Sequence, residues 1–124
     1  TLLEAKEGNL KASYKVRHEM LNAAGTLHGG IMALITDELI GASNFSLNNK
    51  HIYTSVNLVV DFLSPAKIGD TLIATAKVIR KGRKLNHFNC EVHSESGKLL
   101  AKASSSLIST GVEMPDLSAM FPKQ

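Results

Sequence analysis

Cysteine occurs once in the 124 residues, at Cys90, and tryptophan does not occur at all. A lone cysteine cannot close an intrachain disulfide, so a disulfide-stapled scaffold is excluded and a reducing, cytoplasmic setting is expected. Four Phe and two Tyr are the whole aromatic complement, poor material for a base-stacking platform. Charge of one sign is scarce as well: 14 basic residues face 11 acidic ones, a formal +3. That excess is too small to mark a nucleic-acid partner, although a small anionic ligand suits it. The longest apolar run, Ile31 to Ile35, has five residues, whereas a spanning helix needs about 20, so no membrane partner is expected. No basic stretch followed by an apolar run opens the chain, and no secretory leader is expected. P-loop, dinucleotide, CxxC and HExxH patterns are missing. His18, His51, His87 and His93 show no metal-ligand spacing, and neither metal nor cofactor is expected.

What is present reads as a globular domain. Apolar residues make up 44% and charged residues 20%, near the ordinary balance, and the length suits one domain spanning residues 1–124. Leu2 to Glu7 suggests a short helix stopped by Gly8. From Ala12 to Met20 the period is two, with Ala12, Tyr14, Val16, His18 and Met20 on one face, as in a half-buried strand. Asn22 to Thr26 is a small-residue loop. The stretch Gly29 to Phe45 predicts a helix that is apolar nearly all round and therefore belongs in a core. Ile52 to Leu63 follows as one strand, with Val56, Leu58, Val60 and Phe62 on its apolar face. Strands over 71–79, 85–93 and 99–108 are joined by Lys81-Gly82-Arg83 and Ser96-Gly97, short Gly-containing turns that make them antiparallel neighbours. One long helix and about five strands predict an α+β fold, a curved antiparallel sheet wrapped around the helix. The tail after Gly111, with Pro115 and Pro122, is expected at the periphery.

The chemistry-bearing residues gather around that helix. Its start reads Gly25-Thr26-Leu27-His28-Gly29-Gly30. Glycines there let a ligand approach the backbone. Unpaired N–H groups at a helix start favour a developing negative charge, as in an oxyanion hole. Packing room is the plainer explanation of Gly29 and Gly30. Asp37 is out of place mid-helix, since a buried carboxylate is costly unless paired. Gly30, Ala33, Asp37 and Gly41 share a stripe about 80° wide, so Asp37 projects from a face of small residues. Glu38 points about 100° away and reads as solvated or ion-paired. His28 and Asp37 lie roughly 13 Å apart along one helix and half a turn round it. They can serve one small reacting group only across a subunit boundary, so a catalytic role for both predicts a homodimer. Ser55 faces away from the apolar set of its strand, with Asn57 and Asp61. Arg80, Lys81, Gly82, Arg83 and Lys84 form a basic turn, either a solvated hairpin tip or a phosphate anchor.

With these residues in place, the sequence resembles hotdog-fold acyl-CoA thioesterases of the phenylacetate-degradation (PaaI-like) type, within the 4-hydroxybenzoyl-CoA thioesterase superfamily. The likeness runs from about Leu10 to Thr110. Its carriers are Asn22, His28-Gly29-Gly30, Asp37, Ser55 in Tyr53-Thr54-Ser55-Val56, and Phe62-Leu63-Ser64-Pro65-Ala66. The resemblance implies two subunits paired edge to edge through the strand at 52–63, many relatives being dimers of dimers, with the active site between subunits. The Gly29 N–H and the Asn22 side chain would bind the thioester oxygen, and His28 would sit near the departing sulfur. Asp37, as general base or nucleophile, and Ser55, which orients it or a water, would come from the other subunit. Gly30, Lys67 and the turn at 80–84 would contact the substrate, with Lys67 and the basic turn holding CoA phosphates. CoA is then part of the substrate, and no metal is required. A non-catalytic acyl-CoA-binding module and an enoyl-CoA hydratase on the same fold are the alternatives.

Overall fold

The computed structural model describes residues 1–115. Its elements follow in the order β1 (Leu2–Lys6), β2 (Asn9–Lys15), a 3-10 turn (His18–Met20), α1 (Gly29–Phe45), β3 (His51–Ser55), β4 (Val59–Phe62), β5 (Thr71–Lys81), β6 (Leu85–Ser94) and β7 (Leu99–Glu113). Every strand pairing is antiparallel. The strands lie side by side as β1-β2-β5-β6-β7-β3, with β4 also on β7. The helix packs against β2, β5, β6 and β7. Four strands span about 15 Å and a helix with its side chains is roughly 10–12 Å across. The sheet must therefore curl for one helix to reach all four. This is the expected α+β hotdog arrangement.

Alternation on the strands builds the inner face. Leu72, Ala74 and Ala76 of β5 are fully buried, as are Phe88 and Val92 of β6, with Cys90, Ala101, Ala103 and Leu107 alongside. The alanines leave a shallow trough in which Met32, Ile35, Leu39 and Ile40 of α1 are buried. Thr36 and Ser43, also fully buried, spend their hydroxyls on the helix's own carbonyls, donating to Ala33 O and Leu39 O at 2.8 Å. The two Gly-containing turns close the β5–β6 and β6–β7 hairpins as expected.

Five expectations need correction. Leu2–Lys6 is a strand, not a helix: Leu, Glu, Ala and Lys are good helix formers, but Gly8 at φ 75° folds the segment back onto β2. A side chain at Gly8 would meet Val78 Cγ1 at 2.7 Å. The next strand starts at Asn9 and ends at Lys15. Val16 stays buried, while His18 and Met20 leave the ladder in the 3-10 turn. The helix is buried on one side only, since Leu34, Asp37, Glu38, Gly41 and Phe45 are exposed. Gly111 lies inside β7, not beyond it. Pro115 ends the described part, and Pro122 lies outside the described residues.

The last correction concerns 52–63, which forms two strands, so that the sheet has seven. Ser55 pairs with Leu107 and Val60 with Ala103. Five steps on one side thus face four on the other, the signature of a β-bulge. Asn57 sits in it. Its side-chain Oδ1 accepts from the Ser106 N–H at 2.9 Å and its carbonyl accepts from Ser105 Oγ at 2.7 Å. The bulge shifts the phase, so Ser55 shares the inner face with Tyr53 and Leu107 instead of opposing Val60 and Phe62.

Candidate active site

The loop before α1 is organised by Asn22. Its Oδ1 accepts from the N–H groups of Ala24 (3.0 Å) and Thr26 (3.1 Å), and its Nδ2 donates to Thr26 Oγ1 (3.1 Å). An amide nitrogen carries two hydrogens, so one remains uncommitted. The Leu27 N–H donates to Ala66 O, and Thr26 bridges to Lys67. This anchors the loop to the segment after β4 and brings Lys67 beside the helix start.

His28 caps the helix. The four orphan N–H groups of a first turn are here accounted for one by one. Gly30 donates to His28 Nδ1 at 2.9 Å, and Ile31 and Met32 donate to His28 O. Among the described residues nothing accepts from the Gly29 N–H. Because Nδ1 is the acceptor, neutral His28 carries its proton on Nε2 and presents it as a donor. Gly29 faces a cavity of about 310 Å³ walled by Leu27, Met32, Phe62, Leu63 and Leu100. The Phe62 ring stands 3.5 Å from where a Gly29 Cβ would be. Leu100, buried at the β6–β7 bulge, had no sequence signal as a wall residue, because strict alternation hides it.

Asp37 and Ser55 form a second group. Both are exposed, so Asp37 is not the buried carboxylate that an all-apolar helix implies. Among the described residues no ion pair holds it. One turn beyond it, Gly41 opens a slot of about 350 Å³ against β3, with Tyr53 in its wall. Ser55 lies two residues from Tyr53 on the same inner face. Neither Asp37 nor Ser55 lines this slot, and Asp37 stands about two turns along the helix from Gly29. Arg80, Lys81, Gly82, Arg83 and Lys84 are farther still. Their hairpin adjoins the C-terminal end of α1: Lys84 O accepts from Ser109, and Val78 donates to Gly8 O, whose own N–H donates to Ser46 Oγ. Within one chain this basic turn and Lys67 stand at opposite ends of the molecule.

Two further ionisable groups bear on the chemistry. Burial pushes the Cys90 thiol up to about 12, helped by the Glu91 charge and opposed by a hydrogen bond from the Thr75 backbone; it is no nucleophile. Burial also raises Tyr14, with the Glu38 carboxylate second and Cys90 third. No cluster of three or more His, Cys, Asp or Glu side chains that could hold a metal occurs among the described residues. Nor is any described helix long and apolar enough to cross a membrane.

The outer edge of β3 and β4 carries no neighbouring strand among the described residues. Val56, Val59, Phe62 and Leu63 are each more than half exposed along it. On the helix, Leu34 and Phe45 are also exposed, at 49% and 56%. An apolar surface along an open strand edge marks an interaction face.

A curled sheet around one helix with a glycine-rich start defines the hotdog fold, and the sequence comparisons agree. The profile of the thioesterase superfamily matches residues 24–101. The chain belongs to this superfamily, which makes it a thioester hydrolase by class. It is 37% identical over 107 residues to the putative esterase F42H10.6 of Caenorhabditis elegans, covering 85% of this chain and 63% of that one. It is 32% identical over 103 residues to human acyl-coenzyme A thioesterase 13, covering 82% and 74%. The acyl-coenzyme A thioesterase PaaI of Escherichia coli is 28% identical over 101 residues, covering 81% and 70%. The solved structure of the E. coli PaaI protein superimposes with a TM-score of 0.85 at 24% identity, covering 93% of this chain and 82% of that one.

Proposed function

We propose that the protein hydrolyses acyl- or aryl-acyl-CoA thioesters to the free acid and CoA, in a site assembled between two copies of the chain. One observation carries this reading. The uncommitted Gly29 N–H and the exposed Asp37 carboxylate belong to the same helix yet stand roughly 12 Å apart along it. A second copy docked antiparallel on the open β3/β4 edge brings its Asp37 and Ser55 to the first copy's Gly29. It also brings the basic turn Arg80–Lys84 toward Lys67 of the first copy, which gives the CoA phosphates cations from both chains. Pairs of such dimers form the larger assembly.

The steps follow from these positions. The thioester oxygen lies against the Gly29 N–H and the spare Asn22 amide hydrogen, at the positive end of the α1 dipole. Asp37 of the other copy takes a proton from water, held by Ser55, and the hydroxide adds to the carbonyl carbon. Direct attack by Asp37, with water then cleaving the anhydride, yields the same products. Negative charge on the oxygen is stabilised by those N–H donors. The C–S bond breaks, and CoA leaves with a proton, His28 Nε2–H standing beside the sulfur. Gly30, whose N–H is taken by His28, contributes room for the substrate. No metal or cofactor takes part. The single cysteine, buried and unreactive, suits a reducing cytoplasm.

Thiol release from a panel of saturated and aryl acyl-CoA esters tests this. Asp37→Asn is expected to lower kcat by about 10²–10⁴, the worth of general-base help. Equal turnover by parent and variant removes Asp37 from the mechanism. Release of thiol from a saturated ester separates hydrolysis from hydration. Tight binding of the esters without release points to a binding module instead.

A further inference from the structure

The cavity beside Gly29 lies between the first turn of α1 and the sheet. Phe62 pairs with Ala101, which is fully buried on the inner face, so the Phe62 ring stands on the helix side of β4. Phe62 and Leu63, 58% and 52% exposed, form the rim of the cavity, and Met32 and Leu100, 4% and 3% exposed, close its floor. Gly29, the donor to the thioester oxygen in the reading above, lines the same cavity. A carbonyl held at Gly29 sets one of its two substituents, the acyl group or the sulfur-bearing arm, against this space.

The polar groups of the lining decide between the two. The N–H groups of Leu27 and Met32 are spent on Ala66 O and His28 O, and those of Leu63 and Ser64 on Leu100 O. Pro65 has no N–H. Ser64 carries the one polar side chain of the lining. The pantetheine arm of CoA brings two amides and a hydroxyl, each costly to bury without partners. An apolar acyl group needs none. His28, placed beside the departing sulfur, does not line the cavity, which leaves the arm on the other side of the carbonyl.

We propose that this cavity seats the acyl group of the thioester and that Met32 and Leu100 set its size limit. About 310 Å³, at roughly 30 Å³ for each water-sized group, holds about ten non-hydrogen atoms. The favoured substrates are CoA esters of compact apolar acids of that size. Octanoyl and phenylacetyl groups fit, and a palmitoyl chain does not. The second copy on the β3/β4 edge approaches the rim at Phe62 and Leu63, so a longer chain gains no room outward. This rests on the thioesterase reading.

The test is thiol release by the full chain from acetyl-, octanoyl-, phenylacetyl- and palmitoyl-CoA, each below its micellar concentration. kcat/KM is expected to rise about 10²-fold or more from acetyl to octanoyl, the worth of the added buried methylenes. It should fall about ten-fold or more from octanoyl to palmitoyl, which overfills the cavity. No gain from acetyl to octanoyl, or palmitoyl at or above octanoyl, overturns the proposal without any variant. Octanoyl ahead of phenylacetyl marks a flexible chain as the occupant, the reverse a flat ring, and either order supports the seat. Leu100→Ala deepens the floor and should raise the ratio of dodecanoyl to octanoyl turnover about five-fold or more, with circular dichroism checking the fold. An unchanged ratio in folded protein overturns the floor assignment. Ser64→Leu, at a half-buried position, narrows the wall and should lower kcat/KM for octanoyl-CoA relative to acetyl-CoA about ten-fold. Equal losses on both esters would put the pantetheine arm in the cavity and overturn the proposal. No thiol from any ester overturns the thioesterase reading and this proposal together; thiol release without the length limit overturns this proposal alone.

Discussion

At Gly29 a proline can replace glycine with little cost to the helix. Position N1 accepts proline because its N–H has no helical partner. His28, at φ −62° and ψ 132°, already has the extended backbone that precedes proline. The substitution removes the one N–H that nothing else uses. Gly29→Pro is therefore expected to leave the thermal midpoint within a few degrees of the parent. It should lower kcat by about 10²–10³, the cost of one oxyanion donor. Thermal melts and thiol release read the two effects separately, and an unimpaired kcat would free Gly29 of its role. At this scale the spaced set Asn22, His28-Gly29-Gly30, Asp37 and Ser55 was legible in the sequence. The hydrogen-bond state of each residue was not. Whether Gly30 or Gly29 has the free N–H depends on the rotamer of His28.

Among the elements, α1 was legible to its end residues, because a glycine pair opens it and Asn48, at φ 54°, lies just past its end. The hairpins of β5, β6 and β7 were equally plain, since two short turns and clean alternation agree. β1 was not, because local helix propensity lost to pairing with β2. The β3–β4 bulge was invisible, as one extra residue leaves a run of alternating residues looking unbroken. Asn57 holds that bulge by lending a side-chain acceptor where the ladder loses one. Asn57→Ala leaves the Ser106 N–H without its partner. It is expected to cost about 1 kcal/mol, seen in urea unfolding as a lower midpoint with an unchanged m-value. An unchanged midpoint would show that the bulge holds without the side chain.

For the whole molecule, the proposed mechanism divides its complementary groups between two copies. Mixing tests this directly. Gly29→Pro keeps Asp37, and Asp37→Asn keeps Gly29. A mixed dimer of the two has one site with both lesions and one with neither. Unfolded together and refolded, the two inactive variants are expected to regain about a quarter of parent activity, the share of intact sites under random pairing of a symmetric dimer. If Gly29 and Asp37 worked within one chain, mixing would restore nothing.

The sequence by itself determined the curled antiparallel sheet, the central helix and which residue types could carry the chemistry, because periodicity and turn residues act over short distances along the chain. Only the tertiary structure decided that Asp37 lies on an open face, that the bulge puts Ser55 opposite Leu107 on one sheet face, and that the basic turn 80–84 lies at the far end from Gly29. Those are long-range outcomes: they depend on which strand neighbours which, and on where a helix face meets the sheet or leaves it bare.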